Sequence, residues 1–151
     1  MADIVSPDVR SRMMAGIKGK NTKPERLVRS LLHGAGFRFR LHRRDLPGRP
    51  DLVLPKYRKA VFVNGCFWHG HENCDLFRIP HTRQDFWSAK IESNRKRDAR
   101  NIEDLLQQGW GAIVIWECAL TKARRLSPEE LLDQLEAAIN SPAPCITSIS
   151  S

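Results

Sequence analysis

The stretch V-F-V-N-G-C-F-W-H-G-H-E-N-C, from Val61 to Cys74, is the most informative part of this sequence. Its first residues form a continuous apolar run, which is typical of a central β-strand buried on both faces. The run ends at Asn64, and the segment that follows contains two cysteines, two histidines and a Phe-Trp pair. Because metal-ligand residue types follow a core strand directly, we expect the chemistry of the protein at this junction.

The whole-chain composition predicts a basic single-domain protein. The chain has 151 residues and a formal net charge of +8, which fits a polyanionic partner such as nucleic acid and a merely solvated charged face about equally well. No apolar run approaches the roughly 18 residues that span a membrane, and the N-terminus lacks a signal-peptide pattern. We therefore expect a cytoplasmic monomer that does not associate with membranes.

The pattern of elements predicts an α/β fold. Capping boxes at Thr22–Glu25 and Ser127–Glu130 start two helices, and a longer helix should run from Gln84 to Gln108 before Gly109. Its middle is almost wholly polar, which indicates either a solvent-exposed face or a polar cleft beside it. Strands are predicted at 37–41, 51–54, 59–64 and 110–116. The order helix, three strands, long helix, strand, helix favours a mixed sheet with helices on both faces.

We expect one domain over residues 22–140 with an extension at each end. Residues 1–21 are read as a basic arm, in which the pair Met13-Met14, flanked by arginines, could contact DNA as an apolar wedge between cations; a flexible tail is the alternative. Residues 141–151 are small and rich in Pro and Ser, and we expect a flexible tail there.

Four residues have the types and positions of a structural zinc site. Cys66, His71 and Cys74 lie within nine residues, and Cys118 follows a later strand. Thiolates and imidazole suit four-coordinate Zn²⁺, which would tie the loop after one strand to the end of another. The alternative is three unconnected buried cysteines and a surface histidine.

A second metal site is predicted at the ends of two strands. Asp51 opens one strand and Val63 nearly ends the next. If these strands are neighbours, the Asp51 carboxylate and the Val63 carbonyl could hold Mg²⁺, which takes few protein ligands and keeps its waters. With His71 on zinc, His69 would be free to act as a base, because Gly70 can aim the two imidazoles differently. Asp51 as a turn residue and His69 as another surface histidine are the alternatives.

Aromatic residues are the third feature of the loop. Phe67 and Trp68 lie in a glycine-flanked polar segment rather than on a periodic element. Exposed aromatics near basic residues can stack on bases or wedge between them. Trp87 could join them, although burial is the simpler explanation for Trp87 by itself.

Several motifs together resemble the very-short-patch repair (Vsr) DNA mismatch endonucleases. They are L-P-G-R-P-D (46–51), V-F-V-N-G-C-F-W-H-G-H (61–71), T-R-Q-D-F-W (82–87), W-E-C-A-L (116–120) and the N-terminal N-T-K-P-E. The resemblance covers about residues 8–140. It implies a fold like that of restriction endonucleases of the PD-(D/E)XK type, and a Mg²⁺-dependent nick on the 5′ side of the thymine of a T·G mismatch in double-stranded DNA. It further implies other mismatch-repair proteins as partners.

The resemblance also implies roles for individual residues. Asp51 and the Val63 carbonyl would bind magnesium, His69 would activate water, and Glu25 would lie near the metal waters. The zinc ligands would be Cys66, His71, Cys74 and Cys118. The residues that enter the DNA would be Phe67, Trp68 and Trp87 from one groove and Met14 from the other. Basic loops, including the one with Arg49, would hold the backbone and make binding salt-dependent.

This chain departs from the family pattern at Asn64, where members often carry histidine. Asparagine can hydrogen-bond a phosphate but cannot carry a positive charge or transfer a proton. The His71–Cys74 spacing is also one residue longer, which a surface loop can absorb. Two other functions stay open: a zinc-stabilised DNA-binding module without catalysis, and a restriction-type endonuclease that cuts unmodified DNA.

Overall fold

The computed structural model describes residues 22–121 and 125–151. The predicted arm at 1–21, with Met14, lies outside the described residues. The elements in order are α1 Lys23–Gly34, β1 Arg40–Leu41, β2 Leu52–Leu54, a 3₁₀ turn Pro55–Tyr57, β3 Lys59–Asn64, α2 Gln84–Gln107, β4 Gly111–Trp116, α3 Cys118–Thr121, α4 Pro128–Asn140 and β5 Ile146–Ile149.

The strands form one mixed sheet in the order β1-β2-β3-β4-β5. The first three pair antiparallel as a meander, whereas β3, β4 and β5 are parallel. The parallel pairs need crossovers, which α2 supplies between β3 and β4, and α3 and α4 between β4 and β5. The parallel register pairs Asn64 with Trp116, so the loops that follow β3 and β4 start side by side.

Helices cover both faces of the sheet, as predicted. On one face, α1 and α4 bury their apolar stripes against alternate strand residues; the main members are Val28, Leu32, Leu52, Leu54, Val61, Ile113, Ile115, Leu131, Leu135 and Ile139. On the other face, Leu105 of α2 packs with Leu46, Val53, Ala60 and Trp110. Because side chains alternate along a strand, neighbours such as Ala60 and Val61 lie on opposite faces.

Both predicted helix caps are present. The Thr22 hydroxyl accepts a hydrogen bond from the Glu25 N–H at 3.4 Å, and the Ser127 hydroxyl accepts one from the Glu130 N–H at 3.1 Å. Ser127 also donates to the Glu130 carboxylate at 3.1 Å. These bonds satisfy backbone donors that a helix start leaves free, which is why the sequence pattern located both helix starts.

The expectation of a flexible tail at residues 141–151 is wrong. Residues Ile146–Ile149 form β5, which pairs in parallel with β4, and Ile149 is buried. The four residues I-T-S-I are a short alternating strand whose signal was masked by the Pro and Ser around it. The predicted strand at 37–41 is also shorter than expected: only Arg40–Leu41 pairs with β2, while Phe37 and Phe39 pack against the core.

Helix α2 matches the predicted long helix, with 24 residues ending before Gly109. Its apolar residues lie near its ends, and a charged middle separates them. Among residues 22–121 and 125–151, no helix combines the length and apolar character needed to cross a membrane.

Candidate functional site

The four predicted zinc ligands converge. The ligand atoms of Cys66, His71, Cys74 and Cys118 all lie within 4.8 Å of one another. Cys66 and Cys118 are buried, and the other two are half-buried. Four soft donors at this separation have the size and composition of a tetrahedral site for a divalent metal such as zinc. The cluster therefore fits a metal, and unconnected buried thiols do not explain the convergence.

The parallel strands create this convergence. Cys66 follows β3 and Cys118 begins α3 directly after β4. The Glu117 N–H donates to the Asn64 carbonyl at 2.9 Å, and the Glu117 carboxylate accepts from the Cys66 N–H at 3.4 Å. The Cys118 N–H points at the Cys66 sulfur at 3.4 Å. These hydrogen bonds, all from backbone N–H groups, hold the two cysteines side by side without the help of a metal.

His71 is held in place by an aromatic neighbour. Its ring stacks on Trp116 with centroids 4.1 Å apart and planes 6° from parallel, and its Nδ1 lies 3.7 Å from the Cys118 sulfur. Burial lowers the pKa of His71, which favours the neutral imidazole that a metal requires. Burial also raises the pKa of the Cys66 thiol, so metal binding must release its proton.

Gly70 separates the two histidines, as the sequence predicted. It has a φ of +60°, and a Cβ there would lie 2.5 Å from the Arg95 Nε and 2.6 Å from a methyl carbon of Ile91. A left-handed turn in such close contact with a helix requires glycine. The turn directs His71 into the metal cluster and His69 away from it.

His69 is paired with an acid that the sequence analysis did not identify. The Nδ1 of His69 lies 2.5 Å from the Asp98 carboxylate on α2, and both side chains are one-quarter exposed. A carboxylate at Nδ1 fixes the tautomer that carries the proton there, which leaves Nε2 free to accept a proton. His69 therefore has the arrangement of an oriented base.

The polar middle of α2 borders a cleft, the less common of the two predicted alternatives. Asn94 is 5% exposed and donates to the Trp68 carbonyl at 2.8 Å. Arg95 donates twice to the Gly70 carbonyl, at 3.0 and 2.6 Å. With Asp98, these residues recur at helical spacing on one face. That spacing inside a polar segment was the signal in the sequence that could have identified them.

Asp51 lies beside Val63 and Glu25, the two residues predicted to be near it. Its carboxylate accepts a hydrogen bond from the Val63 N–H at 2.6 Å, and β2 and β3 are adjacent strands. Because the N–H and C=O of one residue point to the same edge of a strand, the Val63 carbonyl faces this edge too. Glu25 is buried, and its carboxyl is close enough to raise the pKa of Asp51, so capping explains only part of its role.

The electrostatics of Asp51 fit a cation site. Burial, together with the nearby Glu25 carboxyl, raises the pKa of Asp51 to about 8, against the lowering effects of the Val63 N–H and Arg29. Two neighbouring carboxyl groups, Glu25 buried and Asp51 half-buried, disfavour each other's ionisation. A divalent cation would relieve this repulsion, and oxygen ligands of this kind are what magnesium prefers.

Asp51, His69 and Asn64 line one open cleft of about 1050 Å³. Four cationic side chains also line it: Arg44, Arg49, Lys90 and Arg97. Its acidic residues are Glu25, Asp51, Asp98 and Glu117. A cleft that combines basic side chains with a group of carboxyl groups has the charge distribution expected for a site that binds a polyanion and a metal together.

The predicted aromatics form one cluster at the edge of this cleft. Phe67 lies 5.3 Å from Trp68 and 5.5 Å from Trp87, and the two tryptophans are 5.9 Å apart between ring centroids. Phe86 extends the cluster by stacking on Trp87 at 5.1 Å and is 40% exposed. Phe67 and Trp68 also line the cleft, so Trp87 joins a shared aromatic surface.

Comparisons with known proteins agree on one family. The family described as DNA mismatch endonuclease Vsr matches residues 2–76. A Type II nicking enzyme, V.XorIIP of Xanthomonas oryzae pv. oryzae, is 52% identical over 80% of this chain and 88% of its own length. The DNA mismatch endonuclease Vsr of Escherichia coli is 44% identical over 90% of this chain and 86% of its own. The nicking enzyme V.NmeAIP of Neisseria meningitidis serogroup A is 46% identical over 80% and 85%.

Proposed function

This chain belongs to the Vsr family of DNA mismatch endonucleases, and on that premise we propose that it nicks one strand of duplex DNA on the 5′ side of the thymine of a T·G mismatch. Such mismatches arise when 5-methylcytosine deaminates. We extend the proposal to a fold of the restriction-endonuclease, PD-(D/E)XK type, with the mixed sheet as its centre. Other mismatch-repair proteins are proposed as partners, and the cytoplasm as the location.

One observation carries the proposal best. The Asp51 carboxylate contacts Val63, and a His69–Asp98 pair lines the same cleft. Phosphodiester hydrolysis needs charge neutralisation at phosphate and a base for the attacking water. A DNA-binding module without catalysis would have no use for a close carboxyl pair and an oriented imidazole in one cationic cleft.

In the proposed mechanism, Asp51 and the Val63 carbonyl would hold Mg²⁺, with Glu25 close to its waters. Bound there, the ion would polarise the phosphate and offset the negative charge that develops in the transition state. His69 takes the proton from the attacking water at Nε2, while Asp98 holds the ring and stabilises its positive charge. Asn64 hydrogen-bonds a phosphate oxygen in the cleft.

The metal cluster has a structural role in this proposal. Zn²⁺ on Cys66, His71, Cys74 and Cys118 would fix the loop between β3 and α2, which has little apolar material of its own. A closed four-donor set leaves no open position for substrate. The zinc would therefore hold the backbone of His69 in place without contacting the reacting atoms.

The aromatic cluster supplies mismatch recognition. Phe67, Trp68 and Trp87 would enter the duplex beside the T·G pair, with Met14 entering from the opposite groove. A poorly stacked mismatched step costs less to open than a matched one, so a wedge discriminates between them. Arg49 and the other basic residues of the cleft would bind the backbone.

A nicking assay on end-labelled duplexes tests the proposal. We expect Mg²⁺-dependent nicking of a T·G duplex, 5′ of the thymine, with matched T·A and C·G duplexes and other mismatches cut far more slowly. Asp51→Asn is the inactive control, and EDTA should stop the reaction. Binding to T·G duplex without any nicking would favour a binding module, and equal cutting of matched DNA would favour a restriction-type enzyme.

A further inference from the structure

His42, one of the residues that line the cleft, carries an unexplained polar atom. Its Nε2 is buried and has no hydrogen-bond partner among the described residues, the one such side-chain atom found there. Buried polar atoms are nearly always paired, and an exception calls for an explanation such as an absent ligand. None of the roles assigned above uses His42.

The backbone of His42 is held beside Asp51. Its N–H donates to the Asp51 carbonyl at 3.3 Å, directly after β1 ends by pairing Leu41 with Leu52. Its backbone has a left-handed φ of +51°, a conformation that is uncommon outside glycine and costs free energy. Such strained residues concentrate at functional sites, and this one holds an imidazole in the wall of the cleft.

The chemistry of the cleft identifies the missing partner. Magnesium prefers oxygen ligands, so the Nε2 of His42 is not a third ligand of the proposed ion. Arg44 and Arg49 lie on the same basic loop and line the same cleft, which is the environment of a DNA backbone. Non-bridging phosphate oxygens accept hydrogen bonds only, and an imidazole Nε2–H can donate one to them in the neutral or charged form.

We propose that His42 is a substrate-binding residue that donates a hydrogen bond from Nε2 to a backbone phosphate of the nicked strand, next to the phosphate at Asp51. Because Nε2 is buried in the free protein, the half-buried imidazole turns towards the cleft to make this bond. The bond pairs the orphaned nitrogen and fixes the strand relative to the metal-binding carboxyl. This inference rests on the proposed DNA-nicking function but not on the identity of the metal or of the base.

The first test compares His42→Ala and His42→Gln with the wild type. We expect His42→Ala to weaken binding of a T·G duplex about tenfold or more, since hydrogen bonds to charged groups rank among the stronger ones. Glutamine places an N–H donor within similar reach, and should restore binding to within about threefold. His33→Ala, at an exposed position in the last turn of α1, is the matched control and should bind as the wild type does.

The second test locates the phosphate. Duplexes with a single neutral methylphosphonate at successive positions remove one charged acceptor at a time. At one position near the nick, the methylphosphonate should greatly weaken duplex binding by the wild-type protein and hardly change binding by His42→Ala. The reason is that both changes delete the same hydrogen bond. Additive losses at every position would overturn the proposal, as would wild-type affinity in His42→Ala.

Three failures can be told apart in these tests: misfolding of the variant, absence of the proposed nicking activity, and absence of the proposed role of His42. Thermal unfolding of His42→Ala should match the wild type, because the alanine removes an unpaired atom; if this variant fails to fold, His42→Gln and the methylphosphonate series still decide. A wild type that nicks no T·G duplex would contradict the proposed function. A wild type that nicks while His42→Ala binds and nicks equally well would contradict only the role of His42.

Discussion

The two candidate metal sites both lie near the end of β3, where Val63 belongs to one and Cys66 to the other, and they differ in almost every physical respect. The cysteine-histidine cluster gathers four soft donors within 4.8 Å of one another, and its central thiols are buried. The Asp51 site presents hard oxygens in an open cleft of about 1050 Å³ with basic walls. A closed soft site holds structure, whereas an open site with a shifted carboxyl pKa is arranged for chemistry.

The largest expected effect is at Asp51. We expect Asp51→Asn to lower the nicking rate about 10³-fold or more, because it removes the metal-binding charge, and several kcal/mol of transition-state stabilisation is about that factor. Single-turnover nicking with saturating enzyme measures the effect. Zinc content and duplex affinity should stay near wild-type values; if zinc were lost as well, the two sites would not be independent.

The next largest effects are expected at His69 and Asp98. Variants of these two residues distinguish the base from the residue that orients it. His69→Ala should lower nicking by about 10²–10³-fold, as expected for loss of a general base. Asp98→Asn keeps the histidine but removes its carboxylate partner, so we expect a smaller loss of about 10–100-fold. Comparison of their rates from pH 5 to pH 9 distinguishes the roles. Equal, pH-independent losses in both variants would contradict the assignment of His69 as the base.

Cys74→Ser should affect stability more than chemistry. We expect it to lower zinc content and to lower the unfolding temperature by about 5–10 °C, as a loss of about 2–3 kcal/mol would for a chain of this size. Any fall in nicking should follow the fraction of unfolded protein. Cys145→Ser is the control, since Cys145 lies outside the cluster and contacts Lys59 and Ser141. Full zinc occupancy in Cys74→Ser would contradict the ligand set.

A further expected effect is the pH dependence of stability caused by Asp51. Its folded-state pKa is raised to about 8 from 3.8, so between these values the folded protein binds the extra proton. Stability without added magnesium should therefore fall as pH rises from about 4 to about 8. Asp51→Asn should remove this part of the slope. An equal slope in both proteins, measured by denaturant unfolding, would mean that Asp51 ionises normally.

The sequence predicted the closed site better than the open one. Cys66, His71 and Cys74 are close in the chain and chemically distinctive, so their convergence with Cys118 could be anticipated once the two strands were taken as neighbours. Capping boxes fixed two helix starts in the same way. Local patterns of this kind report interactions that the structure then makes locally.

The open cleft depends on contacts between distant residues. Asp98 is 29 positions from His69, and its polar helix could equally have faced solvent. Lys59 was read as an ordinary strand residue, yet it is fully buried, with its ammonium donating to the Ser141 carbonyl at 2.7 Å. The tail that supplies this partner also supplies β5. Neither contact can be predicted from local periodicity, because each joins residues that are distant in sequence and adjacent only in the folded sheet.

The most direct test of the division between the two sites is a metal-depletion experiment on the wild type. Protein is treated with a mild chelator until magnesium is removed, and zinc content and T·G nicking are measured on the same sample. We predict that one zinc per chain remains, nicking stops, and magnesium alone restores it. Nicking that continues without magnesium, or returns only when zinc is supplied, would contradict the account.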